Sequence, residues 1–162
     1  MNKSNKRKSK DKKYSKVITF PVPFAPISAQ DSISISTNTI KNIPKEIIIS
    51  KAIKYHLEGN IKEAEKYYKY CINNGLKDII LFSNYGGILK ELGKLKEAEL
   101  YTRKAIELNP DLANTHSNLG DILKELGKLK EAEISTRRAI KLNPNLANAQ
   151  LNLGTILKEL GK

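Results

Sequence analysis

Apolar residues recur along this chain at helical spacing, and the spacing itself repeats. Leu119, Ile122, Leu123 and Leu126 follow i, i+3, i+4, i+7, a stripe that predicts an amphipathic helix. Gly127 interrupts it, and Leu129, Ala132, Thr136, Ala139 and Ile140 then mark one side of a second helix. Asn143-Pro144 closes the pair, because the residue before a proline is pushed away from helical angles. The second helix is charged to suit its dipole, with Glu131 and Glu133 near its start and Arg137 and Arg138 nearer its end. Glu133 and Arg137 also form a favourable i, i+4 pair.

This two-helix unit returns along the chain. The run from Ile88 to Glu99 reappears from Ile122 to Glu133 and starts again at Ile156, each time 34 residues on. The register divides the chain into units 79–112 and 113–146, a half unit 147–162, and a more diverged unit 45–78 upstream. Small residues recur with the same period. Ala52, Gly86, Gly120 and Gly154 hold one site of the first helix; Ala64, Ala98 and Ala132 hold one site of the second; Cys71, Ala105 and Ala139 form a third series. A small side chain at such a site lets two helix axes approach while larger neighbours fill the flanking grooves.

Together with Gly59, Gly93, Gly127, Pro110 and Pro144, these series resemble the tetratricopeptide-repeat family pattern from Lys45 to Lys162. The departures are local. The family's usual Trp site holds Ile48, Phe82, His116 and Gln150, its Tyr site holds Tyr55, Leu89, Leu123 and Leu157, and Leu76 stands where Pro is expected. The resemblance implies an all-α fold, a right-handed superhelical solenoid of antiparallel helix pairs whose concave face is lined mainly by the first helix of each unit. Solenoids of this kind offer extended concave binding surfaces.

Onto that face map Asn84, Asn118 and Asn152, with Ser50 at the matching site of the first unit and Asn114 and Asn148 at a neighbouring one. An Asn amide both donates and accepts, so it can hold a peptide backbone from either side. The column is similar to the asparagine ladder in the repeat region of O-linked N-acetylglucosamine transferase. Capture of a terminal carboxylate, as in some co-chaperone repeats, needs Lys and Arg on this face. The matching sites here hold Ser83, Ser117 and Leu151, which argues against that specificity.

Composition shifts the picture at the N-terminus. The formal net charge of the 162 residues is +12, and roughly seven of those charges precede Pro44. Residues 1–44 lack helical periodicity and are rich in Lys, Ser, Asn and Thr, which predicts a disordered arm. Its run of cations from Lys3 to Lys16 suits weak contact with nucleic acid or anionic lipid, or simply a solvated tail. Within it, Thr19-Phe20-Pro21-Val22-Pro23-Phe24 has the character of a docking peptide, for a partner or for the protein's own groove. Three prolines break the helix that a signal peptide would need there, and no apolar run reaches the ~18 residues of a membrane span. A single cysteine, Cys71, precludes an internal disulfide and suits a reducing, cytoplasmic setting.

Catalytic chemistry finds no support in these residues. His56 and His116 lie far apart with no further ligand at metal spacing, and His116 holds a packing site. No Gly-rich phosphate loop is present, and no cofactor is expected. Tyr67, Tyr68 and Tyr70 fit inter-helix packing at the start of the array. The sequence stops at Gly161-Lys162, where another second helix would begin, so Leu153, Ile156, Leu157 and Leu160 are expected to lie incompletely covered. The expectation is self-association through that helix, or an array continuing in a longer protein. The overall expectation is a non-enzymatic scaffold for a protein or extended peptide. Its alternatives are the substrate-selecting front of a glycosyl-, sulfo- or methyltransferase, and polyanion binding by the arm.

Overall fold

The computed structural model describes residues 44–162; the basic arm and its proline-containing segment lie outside the described residues. Seven helices follow one another there: α1 (Lys45–Leu57), α2 (Ile61–Asn73), α3 (Ile79–Glu91), α4 (Leu95–Leu108), α5 (Ala113–Glu125), α6 (Leu129–Leu142) and α7 (Ala147–Glu159). They pair as α1–α2, α3–α4 and α5–α6, and α7 lies on α5 and α6. Each odd-numbered helix also touches the next odd one, so α1, α3, α5 and α7 line up along the array. Among the described residues, none of these helices is long and apolar enough to cross a membrane.

The closest packing comes at the small residues. A Cβ added to Gly120 would overlap Thr136 Oγ1 and lie 3.3 Å from both Thr136 Cβ and the Ala132 carbonyl oxygen. Rotating Thr136 relieves only the first of these, and its hydroxyl already donates to Ala132 O at 2.8 Å. Gly86 meets Thr102 in the same way. Ala52, Ala64, Ala98, Ala105, Ala132 and Ala139 are all fully buried. Gly154, at the same site of α7, has open space around it. Around these contacts Leu81, Ile88, Leu89, Ile122 and Leu123 fill the core; Ile156, expected to lie incompletely covered, is fully buried against α5 and α6, while Leu153, Leu157 and Leu160 are half-buried.

Each helix pair turns on a glycine with positive φ. At Gly93, φ is 73°, and the next residue's amide, Lys94 N–H, reaches back 2.8 Å to Leu89 O. This is the six-to-one closure that a left-handed residue after a helix permits. The closure has a second consequence, because it aims the Lys94 ammonium at Glu65 of the preceding pair, 2.6 Å away. Lys128 meets Glu99 at 2.8 Å and Lys162 meets Glu133 at 2.7 Å in the same manner. Each of these glutamates also binds a cation one helical turn on: Lys69, Arg103 and Arg137 respectively. A ladder of carboxylates thus joins successive units. The boundary between pairs is closed by Asn109 and Asn143, whose side-chain oxygens accept from Asp111 N and Asn145 N at 3.0 Å.

Two predictions follow from this packing. Gly120→Ala should destabilise by about 1–3 kcal/mol, the usual cost of overpacking. Gly154→Ala, at the same repeat position in open space, should stabilise by about 0.5–1 kcal/mol through helix propensity alone. Urea unfolding midpoints check both, and shifts of the same sign would contradict the packing account.

The ladder predicts a pH dependence. Hydrogen bonds from Lys94, and from Lys162 and Arg137, hold Glu65 and Glu133 below their ordinary range; at Glu99 burial works upward, but Lys128 and Arg103 outweigh it. A depressed folded pKa contributes stability above the ordinary value near 4.5, lost as pH falls through the lower folded value. Replacing Lys94, Lys128 and Lys162 together by Met should lower Tm at pH 7. That deficit should shrink as pH drops below about 4.5, and also shrink at high salt. A deficit independent of pH would show that the ladder does not act through charge.

Candidate functional site

The first helices of successive units leave a cleft between α5 and α7. Asn114 and Asn118 line it from α5, Asn148 and Asn152 from α7, with Ser117, Asp121, Leu146 and Leu151 completing the wall. Four of the five asparagines singled out in the sequence therefore meet in one place. They do so because residues four apart share a helix face, and the 34-residue period carries that face from one unit to the next. The cleft holds about 130 Å³, well under the ~300–1,000 Å³ of sites for drug-sized ligands. A strand of backbone and one or two side chains fit it better than a cofactor. Asn118 and Asn148 are exposed, while Asn114 and Asn152 are half-buried. Leu151, 72% exposed, gives the cleft an apolar lip.

Asn84 stands apart. It is only 6% exposed and does not line the cleft. Tyr68 occupies the site where later units have Thr102 and Thr136, and its ring reaches α3, 6.0 Å from the ring of Tyr85. Burial pushes the Tyr68 phenol well above its ordinary value, with the neighbouring Asn84 amide only partly opposing it. The Asn84 side chain is thus set against an interior tyrosine. At the matching position of α1, the Ser50 hydroxyl is turned back onto Glu46 O at 2.8 Å.

The charges beside the cleft are already partnered. Lys90 binds Asp121, Lys124 lies 3.2 Å from the same carboxylate, and Lys90 also lies 3.9 Å from Glu125. Burial pushes the Asp121 pKa up, but the hydrogen bond and charge of Lys90, helped by Lys124, more than reverse this and hold it below its ordinary value. Asp121 therefore stays ionised, and the two lysines are neutralised locally. What the cleft offers a ligand is mainly amide and apolar surface. Leu151 belongs to the groove site that also holds Ser83 and Ser117, whereas Asp121 and Leu146 carry no such signal, although the contrast Gly87, Asp121, Thr155 at one repeat site marks Asp121 as the odd member.

The other chemistry-bearing residues are structural. His116 Nε2 lies 2.8 Å from Pro110 O, and Gln150 at the equivalent site donates to Pro144 O at 2.7 Å, so both fasten the preceding loop. His56 is buried, 3.6 Å from Glu91. Burial raises the Cys71 thiol to about 11, which keeps it protonated and unreactive near neutral pH. Among the described residues no group of three or more His, Cys, Asp or Glu side chains could hold a metal ion.

Two stretches, 81–112 and 113–146, match family models described as tetratricopeptide repeat. Residues 81–146 are thus two tetratricopeptide repeats. Solved tetratricopeptide-repeat structures superpose on it. The first such domain of Spaghetti (RPAP3), bound to the HSP90 peptide SRMEEVD, matches with a TM-score of 0.69 and 26% identity over 73% of this chain and 94% of that one. The first such domain of human RPAP3 gives 0.67 and 26%, covering 72% of this chain and 92% of that domain. An O-GlcNAc transferase from Thermobaculum terrenum shares the fold at 0.66 and 23% identity; the match spans 70% of this chain but 22% of the enzyme. No curated protein matches the sequence.

Proposed function

We propose that this protein is an interaction scaffold that binds an extended peptide in the cleft between α5 and α7. The array 45–162 acts as the binding unit, made of pairs 45–78, 79–112 and 113–146 followed by 147–162. The observation that carries the reading is the meeting of Asn114, Asn118, Asn148 and Asn152 in one narrow, partly apolar cleft. Each amide can donate to a peptide carbonyl and accept from a peptide N–H, so the cleft reads backbone more than side chains. Asn84, set against Tyr68, has at most a supporting role. The likeness to the repeat domain of Spaghetti, which holds a peptide, supports a peptide as the ligand here, though not the acidic character of that one.

The ligand chemistry differs from capture of an acidic terminus. Lys90 and Lys124 are committed to Asp121 at the cleft wall, so the described residues present no free cation there to hold a terminal carboxylate. An uncharged extended segment with an apolar residue set against Leu151 and Leu146 suits the cleft best. The alternative of a transferase's selecting domain rests on shared fold alone, and polyanion binding would involve residues outside the described part.

Selecting ligands for the full chain from a displayed library of unstructured peptides tests the reading. Asn118→Ala with Asn152→Ala should weaken the selected peptides about 5- to 150-fold, corresponding to two lost hydrogen bonds of about 0.5–1.5 kcal/mol each. C-terminal amidation of those peptides should change little. Unchanged affinity in the double variant would refute the amide cleft, and dependence on a free carboxylate would refute its ligand class.

A further inference from the structure

A second groove lies between α4, α5 and α6 and shares no lining residue with the cleft. It holds about 570 Å³, within the ~300–1,000 Å³ typical of ligand sites. Leu119 and Leu123 form its floor and Ile106 and Ile134 its sides, Ile134 being 71% exposed. The repeat explains why it is open. One unit earlier, the same place is filled by the ring of Tyr101, 4.8 Å from Tyr85, 5.9 Å from Phe82, and capped by the Lys104 ammonium 4.9 Å from its centroid. At the matching positions of the next unit stand Ser135 for Tyr101, Leu119 for Tyr85, His116 for Phe82 and Arg138 for Lys104. Three aromatics have gone, and a cation still stands at the capping position, the Arg138 guanidinium, steadied by Asp111 at 2.9 Å. The groove has the shape and surroundings of an aromatic site without its aromatic.

We propose that this groove is an aromatic-anchor site occupied by the chain's own segment Phe20-Pro21-Val22-Pro23-Phe24, with a phenyl ring lying where Tyr101 lies one unit earlier and Arg138 over it. Residues 17–26 carry no charged side chain, which suits a floor of Leu119 and Leu123. Lys16 precedes them, and Glu107 at the rim supplies a counter-charge. The tether is sufficient. The nineteen residues between Phe24 and Pro44 can span roughly 60–70 Å when extended, against about 8–10 Å per packed helix layer. Tethering also sets an effective concentration in the millimolar range, so a contact too weak to capture a free peptide is still populated within the chain. The arm would then be fastened beside, and not within, the α5/α7 cleft.

The chain has three phenylalanines, Phe20, Phe24 and Phe82, so incorporating 4-fluorophenylalanine into the full chain gives three fluorine resonances. Phe20→Ala and Phe24→Ala assign the arm lines without touching the array. The expected result is at least one arm line displaced from its free-peptide position, independent of protein concentration. It should return to that position in Ser135→Tyr, which refills the groove as Tyr101 does, with the Phe82 line confirming that the array remains folded. Ile134→Glu, at an exposed rim position, should release the ring as well and serves if Ser135→Tyr does not fold. Arm lines at the free-peptide position in the unmodified chain would overturn the proposal. So would displacement that survives both variants, or displacement seen only at high concentration, which would place the ring in a second copy.

Discussion

The structure depends on how closely two helices can approach at one repeated point. Where α5 crosses α6, the absent side chain of Gly120 is replaced by Thr136, whose hydroxyl satisfies itself on Ala132 O and so can be buried without cost to the polar balance. Gly86 and Thr102 make the same close approach in the pair before, there with the buried Thr102 hydroxyl lacking a hydrogen-bond partner. That approach fixes the angle within a pair. The flanking Leu and Ile residues then set how the next pair stacks, and the line of α1, α3, α5 and α7 follows. The cleft is a by-product of this geometry, since it is the space left between consecutive first helices whose exposed faces carry amides.

Charge works at a second level. The glycine turn after α3, α5 and α7 places a lysine against a glutamate of the preceding pair, so a local backbone event produces an inter-unit contact. Exposed pairs of this kind are individually weak. Their regular spacing nevertheless resists slippage between units, because a shifted register would leave each lysine facing the wrong neighbour. Near the cleft, the same economy of charge pairs Lys90 and Lys124 with Asp121 and leaves amides as the available chemistry.

Most of the fold was legible in the sequence. The i, i+3, i+4, i+7 stripe through Leu119, Ile122, Leu123 and Leu126 is a local signal, and so is the punctuation by Gly127 and Asn143-Pro144. The candidate site was legible only in part. Periodicity placed Asn84 in one column with Asn118 and Asn152, but it could not show that Asn84 lies buried beside Tyr68 of a different helix. Equivalence in sequence is equivalence of backbone position; burial depends on what the neighbouring helix presents there. The open groove beside Ser135 was hidden for the converse reason. Each replacement of an aromatic residue looks unremarkable alone, and the three meet only when α4, α5 and α6 are assembled.

The central claim is that the α5/α7 cleft, through its amides, is the surface that meets a ligand. Side-chain amide resonances of asparagine report this directly by NMR when a selected peptide is titrated into the full chain. The account predicts shifts of the Asn114, Asn118, Asn148 and Asn152 Nδ2 protons, larger than any at Asn84. Shifts confined to the second helices α4 and α6, with these four amides unmoved, would contradict it.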